Sequence, residues 1–271
     1  MKNTKLKVIA ESPDFLVIDK PAGIMVHGDG RSTDTTIADL VTEQYPEIVG
    51  VGESIEVKEG PAIIRPGIVH RLDKDTSGVL LIARTTKSFQ HFKEMFKDRD
   101  MGKEYVAYVH GHIKEDEVTI DRPIARSRGD FRQWSAARGS RGGEREAVTH
   151  IKVLNRGFDA ELINKGGKRI ERLRAWDAAK VSLISVEPET GRTHQIRVHC
   201  KVVNHPVIHD TLYAPRRLSL LGFTRLALHA RKLSFKDTKG KEWVVESPLP
   251  EDFKNAEKQF KGVEEAEVDK I

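Results

Sequence analysis

The 271-residue chain holds 46 lysines and arginines against 41 acidic residues, a net charge of +5, with 38% hydrophobic and 32% charged residues. A chain of this length buries roughly 70–75% of its unfolded surface and needs neither disulfides nor a metal to hold a core; the composition also lies far from the disordered regime. Its single cysteine, Cys200, excludes an internal disulfide framework and a four-cysteine zinc module, and fits a reducing cytoplasm. No apolar run approaches ~18 residues, and the first twenty contain no signal-peptide core, so a membrane span and a secretory leader are excluded.

The elements follow in chain order. Short runs rich in Val, Ile and Leu predict strands at Phe15–Asp19, Val79–Ala83, Tyr105–Val109, Ala147–Leu154, Val181–Val186 and Arg225–Phe235. Helices are fewer. Thr36 caps a segment with apolar Ile37, Leu40 and Val41, and Asp39 completes a capping-box spacing. Phe89, Phe92 and Phe96 share one face of a second helix, and Ile196, Cys200 and Val203 one face of a third running from Thr193 to about Val203. Strands outnumber helices and do not alternate with them, which predicts α+β with a mixed sheet rather than a doubly wound one. The chain is expected to form a single domain over residues 1–250, followed by a C-terminal helix and charged tail over 251–271.

Two stretches without periodicity are read as loops. Val51–Gly67 is rich in Gly, Pro and charge. Arg122–Arg145 carries Arg122, Arg126, Arg128, Arg132, Arg138, Arg141 and Arg145 against two acids, a surplus of five. Lys165–Arg174 adds a surplus of four, with Lys168 and Arg169 among its five bases. Together these two basic segments exceed the net charge of the whole chain. The last stretch, Glu251–Ile271, has seven acids against four bases.

Three constellations carry candidate chemistry. In Gly67–Ala83 a polar cluster, His70 to Gly78, opens onto an apolar strand; it reads either as an ordinary turn or as a loop aiming an acid, Asp73. Arg192, His194, Arg197 and His199 crowd the start of the third helix, where an anion would be favoured. Arg197 borders the buried stripe, and a half-buried arginine needs an acidic partner. In Gly102–Ile113, Tyr105 and Tyr108 point to opposite faces of a strand, so one can meet a pocket and the other the core. The spacing of His194, His199, Cys200, His205 and His209 does not suit a metal. His70, Asp73 and Ser77 lack the elbow of a hydrolase triad. Neither phosphate-cradling glycine motif is present, so no nucleotide cofactor is expected.

Seven segments in register resemble the RluA-type family of RNA pseudouridine synthases. They are DKPAGIMVHG (Asp19–Gly28), HRLDKDTSG (His70–Gly78), KEYVAYVHG (Lys103–Gly111), EREAVTH (Glu144–His150), GRTHQIRVH (Gly191–His199), HPVIHDTLY (His205–Tyr213) and LALHA (Leu226–Ala230). The resemblance implies a mixed, largely antiparallel sheet with flanking helices and loops around a central cleft. It implies that Asp73 is the catalytic aspartate, Tyr105 the tyrosine that stacks on the target uracil, and Arg197 the basic partner of the aspartate. It further implies that Arg71 helps flip the base and occupies the gap, and that Leu228 lines the pocket floor. Three departures stand out. The first motif begins near residue 19, so the small N-terminal RNA-binding module of many relatives is not expected here. Asn204 and His209 stand where relatives often have glycine. The stretch from about Arg156 to Lys180 looks longer than usual.

The implied reaction converts a uridine in RNA to pseudouridine. The bond from nitrogen to the sugar breaks, the uracil turns, and a carbon–carbon bond forms. Nothing is oxidised or reduced, so no cofactor is expected. A carboxylate can attack the sugar or remove a proton from it, and the sequence leaves both routes open. The expected partner is RNA: large-subunit ribosomal RNA first, transfer RNA as the alternative, bound by a monomer. Arg126, Arg128, Arg132, Arg138, Lys168 and Arg169 are the expected phosphate contacts.

Overall fold

A computed structural model describes residues 5–28, 32–53, 65–137, 141–164 and 175–262. In chain order its strands are β1 (Val8–Glu11), β2 (Phe15–Lys20), β3 (Ser77–Ala83), β4 (Gly102–His110), β5 (Glu117–Asp121), β6 (Ile124–Arg126), β7 (Trp134–Ser135), β8 (Arg141–Arg145), β9 (Val148–Asp159), β10 (Lys180–Pro188), β11 (Leu228–Lys236), β12 (Glu242–Glu246) and β13 (Phe260–Gly262). The α-helices with both ends described are α1 (Ile37–Gln44), α2 (Thr86–Asp98), α3 (Ala160–Asn164), α4 (Gln195–Val202) and α5 (Glu251–Gln259), and residues 175–179 are helical as well. The chain folds into two compact units, Met1–Lys103 with Ala230–Pro248, and Glu104–His229 with Leu249–Ile271.

In the first unit the strands run in the order β1-β2-β3-β11, with β12 also paired to β11. The β1–β2, β2–β3 and β11–β12 pairs are antiparallel. All seven residues of β3 are buried, which explains its unbroken apolar run. Phe15 packs edge-on against Phe92, Phe235 and Trp243 at centroid separations of 5.0–6.0 Å. The first two predicted helices form here. Thr36 and Asp39 close the capping box of α1, and α2 buries Phe89 and Phe92.

Gly78 sets how closely β3 and β11 approach. Its φ is +115°, and a Cβ built on it would lie 2.1 Å from the Ala230 carbonyl oxygen. Backbone strain and the clash act together, so Gly78→Ala is expected to cost at least ~3 kcal/mol. Thermal unfolding should show it as a fall of roughly 6–12 °C in Tm for a chain of this size. An unchanged Tm would mean that the two strands can separate freely at this point.

In the second unit the order is β4-β10-β9-β13, with β5 beside β9. Every pair is antiparallel. β9 is long enough to pair with β5 over its first residues and with β13 over its last. The core is built from Val106 and Tyr108 on β4, Ile184 and Val186 on β10, and Ile196, Cys200, Phe223 and Phe253. The C-terminal helix predicted after residue 250 is α5. Its Phe253 and Ala256 are buried in that core, and the chain continues directly into β13; the charged tail expected after it lies outside the described residues.

Two expectations are corrected. The Arg122–Arg145 stretch is not a loop: β6, β7 and β8 form a separate three-stranded antiparallel sheet in the order β7-β6-β8. β8 reads RGGER and has no apolar residue to announce it. It is held by pairing with β6, whose Ile124 and Ala125 are fully buried. The strand predicted from Arg225 begins only at Leu228, because the chain bends at Thr224 and Arg225 before it extends.

Candidate functional site

The first unit presents Asp73 on the loop that feeds β3. The Thr76 N–H donates to the Asp73 carbonyl at 3.2 Å and closes the turn. Lys20, fully buried at the end of β2, braces the loop from below. Its ammonium donates to the carbonyls of Pro21 (2.8 Å), Ile24 (2.8 Å) and Lys74 (3.1 Å). The Gly23 N–H also reaches the Lys74 carbonyl, at 2.8 Å. A buried ammonium is tolerated when all three of its protons are taken up in this way. The DKPAGI segment thus ties the backbone next to Asp73 to β2. The Asp73 residue is half-buried, between exposed Arg71 and exposed Lys74.

The neighbouring histidines are structural. His70 Nε2 accepts the Leu81 N–H at 2.9 Å, and its ring stacks on Phe96 at 4.5 Å. Burial, and then the charge of Lys103, push its pKa down to about 3, so it stays neutral. With Nε2 committed to the backbone of β3, His70 is no member of a hydrolase triad. His27, also buried, has Nδ1 2.8 Å from the Gly28 carbonyl, which only a protonated Nδ1 can satisfy. Its Nε2 is then an acceptor, and Arg71 Nη1 donates to it at 3.2 Å. Arg71 is therefore steered by one histidine while the residue as a whole stays exposed.

The second unit presents Arg197, Tyr105 and Leu228. The residue before α4, His194, lies in the left-handed region at φ +56°, so the helix starts with a sharp corner. Gln195 holds this corner: its Oε1 accepts from the Thr190 hydroxyl (2.6 Å) and the Arg192 N–H (3.0 Å), and its Nε2 donates to the Val148 carbonyl (2.9 Å). His199 lies one turn further on, between the Thr149 hydroxyl and the Arg122 carbonyl, each at 2.9 Å. Burial lowers its pKa and keeps it neutral. Gln195 and His199 thus anchor one side of α4. Arg197, two residues past Gln195, points about 200° round the helix axis.

There Arg197 meets Asp210. Nε and Nη2 donate to Oδ2 and Oδ1, both at 2.8 Å, and the two side chains are 11% and 1% exposed. Asp210 Oδ1 also accepts the N–H groups of Leu212 (3.1 Å) and Tyr213 (2.9 Å). The guanidinium lies 5.0 Å from the centroid of the Tyr213 ring. The Tyr213 hydroxyl accepts the Trp134 N–H at 2.9 Å and sits 2.9 Å from His194 Nδ1. An acidic partner for Arg197 is therefore supplied within HPVIHDTLY by Asp210, a residue that the sequence reading did not single out. A signal existed: an acid in the segment next after the arginine's helix.

Tyr105 and Tyr108 divide as their alternation on β4 requires. Tyr108 is 1% exposed in the core, while Tyr105 is half-buried at its edge. Leu228 is buried at the start of β11. Asn204 and His209 adopt φ of +65° and +55°, the left-handed backbone that glycine would favour. Of the expected phosphate contacts, Arg126 is exposed on β6, and Arg128 and Arg132 are exposed in the turn after it. Arg132 is chelated by Asp130, with its closest contact at 2.7 Å, which offsets its charge. Arg138, Lys168 and Arg169 lie outside the described residues. Among the described residues no group of His, Cys, Asp or Glu is placed to hold a metal ion, and no helix is long and apolar enough to cross a membrane.

Residues 14–202 match the RNA pseudouridylate synthase family model. An uncharacterised RNA pseudouridine synthase of Bacillus subtilis is 34% identical over 250 residues, spanning 92% of this chain and 70% of that protein. The ribosomal large subunit pseudouridine synthase D of Pseudomonas aeruginosa is 35% identical over 264 residues, spanning 93% and 71%. Among solved structures, human RNA pseudouridylate synthase domain containing 1 superposes with a TM-score of 0.68 at 26% identity, covering 97% of this chain and 91% of that one. With seven family motifs in register, a largely antiparallel α+β fold and relatives above 30% identity over nearly its whole length, the chain belongs to the RNA pseudouridine synthases, a family of isomerases.

Proposed function

We propose that this isomerase converts specific uridines of large-subunit ribosomal RNA to pseudouridine, with Asp73 as the acting carboxylate. The observation that carries the substrate is the group of relatives named for the large ribosomal subunit, at 31–35% identity over more than nine-tenths of this chain. What supports Asp73 is its loop. It is the one acid of the His70–Gly78 segment that is half-buried rather than exposed, on backbone braced by Lys20 and Gly23.

The chemistry follows from the bond exchange. The N1–C1′ bond breaks, the uracil turns, and C5 bonds to C1′. The C5 proton is then lost to water while N1 gains one. Asp73 either attacks C1′ or takes a proton from the sugar. The base must first leave its stack, at a cost of a few kcal/mol. In this reading Arg71 fills the gap, Tyr105 stacks on the extruded uracil for ~1–3 kcal/mol, Leu228 floors its pocket, and Arg197 is the basic group. Residues 1–250 act as one catalytic domain and the enzyme as a cytoplasmic monomer. Arg126 and Arg128 hold phosphates, with Arg132 contributing less because Asp130 already engages it.

The test uses RNA labelled with tritium at uracil C5, which pseudouridine formation releases to water. Release from large-subunit ribosomal RNA, and little from transfer RNA, is expected of the purified chain. Release from transfer RNA alone would replace the proposed substrate with the alternative.

A further inference from the structure

We infer that the turn joining β6 to β7 is a base-stacking finger, in which Phe131 takes the face of an unpaired nucleobase and Arg126 and Arg128 hold the adjoining phosphates. The inference rests on the proposed RNA substrate and adds a contact remote from the reacting base. Phe131 is 74% exposed, the most exposed large hydrophobic side chain among the described residues. A single apolar side chain in water is ordinary on a protein surface. What sets this one apart is the frame that holds it and the cations beside it.

The turn is built to present this ring rigidly. The Ser127 N–H donates to the Gln133 carbonyl, and the Gln133 N–H to the Asp130 carbonyl, both at 3.0 Å. The Asp130 carboxylate accepts the Arg132 N–H at 2.9 Å and chelates its guanidinium. Arg126 donates to the Phe131 carbonyl at 2.8 Å and lies over the Trp134 ring at 4.5 Å. Arg126 is nonetheless an exposed residue, so its guanidinium is open to a phosphate.

The finger is also anchored. Gln133 Nε2 donates to the Leu212 carbonyl at 2.8 Å, and the Trp134 N–H to the Tyr213 hydroxyl at 2.9 Å. Tyr213 is the ring beneath Arg197. A contact at the tip is thus linked through two hydrogen bonds to the segment that positions Arg197.

The partner follows from the chemistry. An exposed ring flanked by arginines meets a π-face beside negative charge in RNA, and the face is available only where a base is unstacked. A duplex hides its base faces and would meet the arginines alone.

The experiment compares the full chain with Phe131→Ala and Phe131→Trp. Each is titrated by fluorescence anisotropy with labelled single-stranded oligouridylate and with an RNA duplex of the same length. Phe131→Ala should bind the single strand roughly ten-fold more weakly, the fold-change expected for one lost stacking contact. Its duplex affinity and its unfolding midpoint should match wild type. Phe131→Trp should bind as wild type does, with emission quenched by the single strand. Wild-type affinity of Phe131→Ala for the single strand overturns the inference, as a finger that docks protein would give. Equal weakening towards strand and duplex, or a lowered unfolding midpoint, also overturns it. Tritium release by wild type separates the two readings: without release the proposed substrate fails whatever the anisotropy shows, and with release a silent Phe131→Ala refutes only the finger.

Discussion

Asp73→Asn is expected to abolish tritium release while leaving RNA affinity unchanged or slightly higher. The substitution keeps the shape of the side chain and removes its ability to act as a base or to form a stable ester with the sugar. Loss of a general base alone typically costs ~10²–10⁴-fold, and loss of a nucleophile more. RNA affinity is expected to survive because it comes from arginines on other elements, and one fewer negative charge can only favour a polyanion. Folding is expected to survive as well. The Thr76 N–H bond to the Asp73 carbonyl and the Lys20 and Gly23 bonds to the Lys74 carbonyl are made to backbone oxygens, which the substitution leaves in place. Matching wild-type and mutant unfolding curves, measured beside the release assay, make the result specific to the carboxylate. Turnover near the wild-type rate would remove Asp73 from the mechanism.

The second large effect concerns Asp210. Asp210→Ala should lower stability by ~3–5 kcal/mol, because it removes the bidentate carboxylate from the buried Arg197 guanidinium. It also removes the acceptor that caps the Leu212 and Tyr213 N–H groups. Replacing both partners with apolar residues, Arg197→Met with Asp210→Leu, should recover much of that loss, since desolvation of the pair then disappears with it. Activity should not return with stability if Arg197 also serves the reaction. Chemical denaturation and tritium release on the single and double variants separate the two roles. A double variant that regained activity would make the pair purely structural, and an unchanged midpoint for Asp210→Ala would mean that the carboxylate contributes little to the fold.

Lys20 shows why part of the site escapes a reading of residues one at a time. In the sequence it is one lysine among many, beside an acid and before a proline, and nothing marks it as fully buried. Its role appears only when Pro21, Ile24 and Lys74, the last 54 positions away, bring three carbonyls to one point. The same holds for Gln195, whose side chain reaches back to Val148 and Thr149. β8 is legible in neither composition nor alternation, because pairing with β6 supplies what its side chains lack.

Features that depend on neighbours in the chain were legible without coordinates. Thr36 and Asp39 lie three residues apart, so their reciprocal capping bonds follow from spacing. The apolar runs of β2, β3 and β10 are long and buried enough to declare themselves. The seven motifs, in register, pointed to the family and hence to the class of reaction. The rest came with the fold: that Asp210 holds Arg197, which histidines are held neutral by burial, and which arginines of the basic segment stand on strands. Each of these depends on contacts between residues far apart in the chain. Their energies come from desolvation and hydrogen-bond geometry, which exist only once the fold has excluded water and fixed the partners.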